Sequence, residues 1–472
     1  MMRRMPLILV LTLATALAAP QLGARPAKPK VSPAVEAQAL DLAKRLIAIR
    51  SVAGPGNKTP EAMQVVKDEL LQGGWMDADV EIVPVDDTAY LIATWKGSDP
   101  ALKPLVISGH IDVVEAKRED WERDPFVPVV ENGYLFGRGA QDMKFDAALA
   151  TTSLIELRRS GYKPRRTIVL QFSGDEETIM KTSRMIAQRL KNAELVVNID
   201  GGGGALDEKT GKPTYWTWEG AEKTYDDYQL EVTNPGGHSS APRPDNAIVQ
   251  LASAVAKVGA YRFKPEQNAI TKAYFERAAQ FEGDAGTAAA MRAFAANPGD
   301  AQAAAVLRAN PAYVGKVSTT CVATLIGGGH AQNALPQRAT ANINCRVFPG
   351  HSREEIRREL EQVIAMPVVK VTATSGEDSI SSPASPMRPD FVAAAEKALY
   401  LSYPGLPVIP SQSSGASDSM WYRALGIPAY NASAQFSKDS EGFAHGLNER
   451  VPLSNVAPGL TYYLSLFTDL SK

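Results

Sequence analysis

The sequence predicts an α/β fold: a domain with a mostly parallel central sheet and helices on both faces, interrupted by a ferredoxin-like α+β domain. Three observations carry this. Up to about residue 215, apolar runs of strand length alternate with stretches of helical periodicity, the pattern of a parallel sheet covered on both faces. Between 216 and 376 the order becomes β-α-β-β-α-β, that of a split α/β sandwich. After about Glu377 the first pattern resumes. The expected division is a leader at 1–24, one domain built from 31–215 and 377–472, and an inserted lid at 216–376.

The leader reads as a signal peptide. Arg3 and Arg4 form a positive n-region, Pro6 to Leu17 is an apolar run too short to span a bilayer comfortably, and Ala16-Leu17-Ala18 has the small-x-small pattern of a cleavage site. Leu22-Gly23-Ala24 is a second candidate. An uncleaved anchor is the competing reading; a lipid-anchored form is disfavoured because no cysteine sits there. The expectation is an exported protein, periplasmic or secreted, with no membrane attachment after cleavage.

From Ala34 to Ser51, Leu40, Leu42, Ala43, Leu46 and Ile47 define an amphipathic helix, and Pro60 to Leu71 a second, with Pro60 suited to its first turn. Strands are expected at Val80 to Val83, Leu91 to Trp95, Leu105 to Ile107, Thr167 to Phe172 and Leu195 to Ile199. Helices are expected at Phe145 to Arg159 and Thr182 to Lys191. In the inserted domain, Asp227 to Thr233 reads as a strand and Asn246 to Val258 as a helix. Val317 to Ile326 and Ala339 to Val347 read as paired strands, Ser352 to Ile364 as a helix opened by a Ser352–Glu355 capping box, and Val368 to Thr374 as the closing strand. The alanine-rich stretch from Tyr261 to Lys316 reads as a helical insertion without chemistry of its own.

Charge is nearly balanced, 50 Lys+Arg against 52 Asp+Glu, and no basic tract appears, which argues against nucleic-acid binding. Cys321 and Cys345 are the two cysteines. They fall on the two strands expected to pair, nearly opposite each other. An oxidising location favours a bridge. Directly opposed Cβ atoms about 4.5–5.5 Å apart resist it, since a disulfide wants about 3.5–4.5 Å. A bridge and two buried free thiols both remain open.

Five motifs carry the chemistry: Ser108-Gly109-His110-Ile111-Asp112, Gly137 to Asp142, Gly174-Asp175-Glu176-Glu177, Asn198-Ile199-Asp200 and Ala444-His445-Gly446. Two histidines with several carboxylates from distant segments are the donor set that a pair of zinc ions needs. His110, Glu176, Glu177 and Asp200 lie just past apolar strand-like runs, where ligands of parallel sheets sit. Period-two geometry allows Asp112 to hold one ring N–H of His110 while the other nitrogen binds metal. A carboxylate at Asp142 can bridge two metals, although an N-cap for the following helix also fits it. Of the adjacent Glu176 and Glu177, one can bind metal and the other serve as general base. The four glycines after Asp200 match neither a dinucleotide fingerprint nor a P-loop. His330 reads as a loop residue, and His351 as leading into the capping box.

Together these residues resemble the M20 family of zinc peptidases and amidohydrolases, over nearly the whole chain after the leader. The inserted domain adds Gly236-Gly237-His238-Ser239 and Asn333-Ala334-Leu335-Pro336, which the related M28 aminopeptidases lack. The resemblance implies two zinc ions per subunit, one on His110 and Asp200, the other on Glu177 and His445, with Asp142 shared. It implies Glu176 as general base, Asp112 as the residue orienting His110, and a cis peptide after Asp142. It also implies a homodimer through the lid, with His238 polarising the scissile carbonyl in the partner subunit's site. Asn333, Arg346 and the turn containing Gly415 are implied to hold the substrate, Arg346 being suited to a carboxylate. The activity implied is hydrolysis of an amide in small peptides or N-acylated amino acids. A different dinuclear hydrolase, such as an esterase or phosphatase, and a catalytically silent binding protein are the alternatives; the intact Glu176 argues against the last.

Overall fold

A computed structural model describes residues 31–376 and 379–472, so the leader at 1–24 lies outside the described residues. The fold is mixed α/β, organised by two sheets. The larger has ten strands. Its centre is parallel: Leu105–His110 pairs with Ile168–Ser173 and Leu195–Asn198, and the latter pairs with Ala429–Asn431. One margin is an antiparallel hairpin of Val80–Val85 and Thr88–Trp95. On the other side Pro213–Glu222 runs antiparallel to Gly203–Leu206 and parallel to Val408–Ser413.

The central strands read as continuous apolar runs because both faces are covered. Leu105, Ile107, Leu170 and Val197 face the larger core, with Phe145, Phe391 and Leu460 from helices Lys144–Arg159, Pro389–Tyr400 and Val456–Leu470. Val106, Val169 and Val196, one residue out of phase, face a second core with Ile186 and Met420. Buried Lys144 ties two helices together: its ammonium donates to the carbonyls of Leu46 (2.9 Å) and Ile49 (2.8 Å) at the end of Pro33–Ile47. Among the described residues no helix is long and apolar enough to cross a membrane.

The smaller sheet is antiparallel throughout, in the order Thr320–Gly328, Arg338–Val347, Thr224–Thr233, Lys370–Ala373. Helices Ala247–Ala260 and Arg353–Ile364 share a core with it through Leu251, Leu360, Tyr228 and Ile343. This is the expected β-α-β-β-α-β unit. The side chain of Asn246 caps the first helix, and the Ser352–Glu355 box opens the second. The expected boundary at 215/216, however, falls inside one continuous strand. Pro213–Glu222 stays in the large sheet, with Trp216 and Trp218 in its core, and the chain changes sheet between Glu222 and Thr224. No helix separates Gly203–Leu206 from this strand, so the alternation fades before the large sheet ends.

The stretch 261–316 is helical as expected: Ala269–Ala278, Ala285–Ala296, Ala301–Arg308 and Pro311–Val317. Each is opened by an Asn or Asp side chain (Asn268, Asp284, Asp300, Asn310) accepting first-turn N–H groups. These helices have their own core around Phe275, Met291, Phe294 and Leu307. Ile270 anchors them to the core of the large sheet, so the insertion sits on that sheet rather than on the smaller one.

Cys321 and Cys345 are register partners and form a disulfide, with Cα atoms 4.1 Å apart. Antiparallel pairs without mutual hydrogen bonds approach to about 4.5 Å between Cα atoms, closer than the average opposed pair. That close approach overcomes the resistance expected of strand geometry. Titration of the unfolded, unreduced protein should find no reactive thiol, and two after reduction.

Candidate active site

The carboxyl ends of the parallel strands converge on one cleft of about 630 Å³, bordered by Asp142, Glu176, Glu177, Asp200, His445, Arg346 and Gly415 among others. His110 closes its strand and is buried. Its Nδ1 lies 3.0 Å from the carbonyl oxygen of Asp112 and 3.5 Å from that residue's carboxylate. A carbonyl only accepts, so Nδ1 carries hydrogen and Nε2 is turned to the cleft. The expected orienting role thus runs through the Asp112 backbone. Its carboxylate instead accepts the N–H groups of Glu176 (3.2 Å) and Glu177 (3.0 Å), fixing the turn that presents both. Asp175, the third acid of that run, faces away and accepts from Lys181 N (2.8 Å) and Thr182 N (3.0 Å) at the start of the next helix.

Asp142 is the centre. One carboxylate oxygen lies 3.0 Å from Nε2 of His110, the other 3.2 Å from Nε2 of His445. Glu177 lies 2.9 Å from Nε2 of His445, and Asp200 4.0 Å from Nε2 of His110. Two donor groups therefore share Asp142, one with His110 and Asp200, one with His445 and Glu177. The Asp142–Met143 peptide is cis, as the resemblance implied. Met143, not Asp142, stands at the N-cap of the helix that follows, so the capping alternative does not hold. His445 sits in the left-handed region at φ 60°.

Glu449 belongs to the site although no motif announces it. Its carboxylate accepts the N–H groups of Gly139 (3.1 Å), Gln141 (2.6 Å) and Asp142 (3.0 Å), and an Arg138 guanidinium N–H at 2.6 Å. Gln141 in turn donates to the Glu441 carbonyl and accepts from Phe443 N, both at 2.7 Å, tying the Asp142 loop to the turn that bears His445. Asp418, in the turn after Gly415, accepts from Ser173 at 2.6 Å.

The electrostatics show what the cluster lacks. Burial pushes Glu176 well above the ordinary carboxyl range, and Asp200, Asp418 and Glu177 add to it against His110. Asp200 is raised likewise, by burial and then by Asp142. Burial opposes ionisation of Asp142, yet hydrogen bonds from both histidines hold it below the usual range. Hydrogen bonds to Asp142 and Glu177 raise His445 to about 10. Burial works against protonating His110, but Asp112 and Asp142 raise it well above its ordinary value. Protons on the histidines thus supply positive charge that the carboxylates demand, a place suited to divalent cations. Donor atoms of His110, Asp142 and Glu177 lie within 4.8 Å of one another, and Glu177 keeps a buried oxygen without a hydrogen-bond partner. The residues fit a metal centre.

Arg346 borders the cleft, donating to the Ser414 carbonyl at 3.1 Å with its guanidinium 4.8 Å over the Tyr225 ring. His238 and Asn333 do not border it. Both are exposed on a two-stranded ribbon, Gly237–His238 with Ala334–Leu335, where Ser239 N donates to the Asn333 carbonyl at 2.9 Å. His330 is exposed in a loop, and His351 pairs with Glu266 at 2.7 Å.

The profile of peptidase family M20/M25/M40 matches residues 106–469, and the chain belongs to that family. A probable carboxypeptidase S-like 2 from Dictyostelium discoideum is 27% identical over 399 residues, 81% of this chain and 74% of the relative. The N-fatty-acyl-amino acid synthase/hydrolase PM20D1 of Xenopus tropicalis is 27% identical over 396 residues, 79% of this chain and 74% of that protein. The M20 family metallo-carboxypeptidase Sso-CP2 from Sulfolobus solfataricus has a similar fold, with TM-score 0.68 at 17% identity, covering 91% of this chain and 98% of that one. The protein is a hydrolase of the family that acts on amide bonds.

Replacing Glu449 by Ala leaves Arg138 buried without its carboxylate and strips three N–H groups of their acceptor. Denaturant unfolding should show a loss of about 3–5 kcal/mol, and metal titration a weaker site.

Proposed function

We propose that the cleft hydrolyses the amide bond of small peptides or N-acylated amino acids, using two zinc ions per subunit. The observation that supports this best is the pair of histidines on opposite oxygens of one buried carboxylate, with Glu176 and Arg346 bordering the same space. His110 and Asp200 would hold one ion, His445 and Glu177 the other, and Asp142 both. Bound there, divalent ions supply Lewis-acid polarisation of a carbonyl and a water of lowered pKa.

The chain's own residues do the rest. Glu176 takes a proton from the attacking water and delivers it to the leaving amine. Asp112 fixes that turn by two backbone hydrogen bonds, so the base is positioned before substrate arrives. Arg346 receives the substrate carboxylate near the Gly415 turn. A screen of dipeptides and N-acylated amino acids should find hydrolysis that a chelator abolishes, with about two zinc ions per chain in the active protein. Full activity without metal overturns the reading.

Glu176→Gln should preserve both metals and lower kcat by about 10²–10⁴-fold, since it removes proton transfer. Glu177→Gln should instead weaken metal binding. A near-wild-type rate in Glu176→Gln refutes the role given to it.

We also propose that the protein is an exported homodimer in which His238 serves the neighbouring subunit. The disulfide supports an oxidising compartment. The exposed Val322, Leu325 and Ile326 on the edge strand, with Ile248 and Val249 on the adjacent helix, support a partner of the same chain. His238 is exposed and does not border its own cleft, which supports a role in another. Mixing inactive His238→Ala and Glu176→Gln subunits should restore part of the activity, because some heterodimers hold one complete site. No recovery after verified subunit exchange argues for a role within one chain.

A further inference from the structure

A cavity beside the cleft is left unused by this chemistry. It measures about 480 Å³ and lies between the helical insertion and the strands that floor the cleft. Along Pro213–Glu222, Trp216 and Trp218 are core residues, so Tyr215, Thr217 and Glu219 share the opposite face. Thr217 and Ser411 border the cavity, whereas Glu219 and Ser413, two residues further along each strand, border the cleft. The two spaces are thus one two-residue step apart on the same sheet face, about 7 Å. Glu219 also abuts the Asp200 loop: a Cβ on Gly201 would meet its carboxylate at 3.0 Å.

The walls select a chemistry. Tyr215 and Phe281 stand with ring centroids 5.4 Å apart, and Tyr274 and Tyr313 complete the aromatic lining. Lys316 reaches in from the insertion, its ammonium 5.0 Å over the Tyr274 ring and donating to the Gln412 carbonyl at 2.9 Å. A cationic group entering here would meet that ammonium and an anionic one the Glu282 and Asp439 carboxylates, so an uncharged group suits both. A long alkyl chain would cover the Tyr215 and Tyr274 hydroxyls without offering them a partner, whereas the Tyr313 hydroxyl and the Glu282 carboxylate already bond each other. A planar ring can meet the aromatic walls edge-on or offset, and carries an edge that suits the polar atoms between them.

We propose that this cavity is a substrate subsite that takes an aromatic group on the molecule whose amide is held at Asp142 and Glu176. The proposal rests on the reading of the cleft given above and gives the helical insertion a part in specificity. Binding tests it apart from turnover. The probes are 5-phenylpentanoate, whose four methylenes set the ring about 6–7 Å from the carboxyl carbon to match the step between the two spaces, and butanoate, titrated calorimetrically into the zinc-loaded full chain.

The phenyl probe should bind about tenfold tighter than butanoate. Ala278→Phe, on the insertion and bordering the cavity but not the cleft, should erase most of that advantage and leave butanoate binding within about twofold. Phe281→Ala, at a half-exposed position, should weaken the phenyl probe about threefold or more and serves if the filled variant fails to fold. Equal binding of the two probes by the wild type overturns the subsite, as does an undiminished phenyl advantage in folded Ala278→Phe. Phenyl discrimination without cleavage of any amide refutes the hydrolytic reading and leaves the subsite standing.

Discussion

Concentrated negative charge at the mouth of the parallel sheet is the constraint around which this protein is built. Asp142, Glu176, Glu177 and Asp200 face one another in a half-buried cleft, and Asp418 stands behind them. Carboxylates at such distances repel strongly in a low-dielectric setting unless cations intervene. The fold holds them there by committing polar contacts to the backbone. Asp112 grips the Glu176–Glu177 turn, and Glu449 grips the Asp142 loop. Glu449 is itself compensated by buried Arg138, 2.6 Å away. The repulsion that remains makes this cluster a candidate place for a cation.

The fold is legible in the sequence because its central strands are buried on both faces. Leu105 to Ile107, Ile168 to Phe172 and Leu195 to Val197 are apolar at every or nearly every position, and only a doubly covered parallel sheet demands that. Short motifs at the ends of those strands are enough to place His110, Glu176, Glu177 and Asp200 in one region. Asp142 and His445 come from segments that end no parallel strand. Their meeting depends on the resemblance to a known family rather than on pattern.

What stays hidden is long-range or mediated by backbone. Glu449 lies 307 residues from Asp142 in sequence and marks itself by no motif, since a lone glutamate beside an arginine usually signals a solvated surface. The division of labour in Asp112, carbonyl to His110 and carboxylate to the next strand's turn, is invisible to a reading that counts side chains. The domain boundary expected at 215/216 is misplaced for a related reason. Pro213–Glu222 alternates polar and apolar like a strand of the smaller sheet, because one of its faces lines a cleft and a cavity instead of packing under a helix.

The disulfide has a consequence for how the chain survives its own folding. The strand it joins, Thr320–Gly328, is the free margin of the smaller sheet and exposes Val322, Leu325 and Ile326. A margin of that kind is a template for unwanted pairing, and a slip of one residue would exchange its outward and inward side chains. A covalent bond between Cys321 and its register partner Cys345 forbids the slip. Closing a loop with a sequence separation of 24 also lowers the entropy of the unfolded chain, worth roughly 3–4 kcal/mol in the loop-closure picture. Synthesis in a reducing compartment would then yield chains whose sticky margin is free to mispair, so that solubility, before activity, reports where the protein was made.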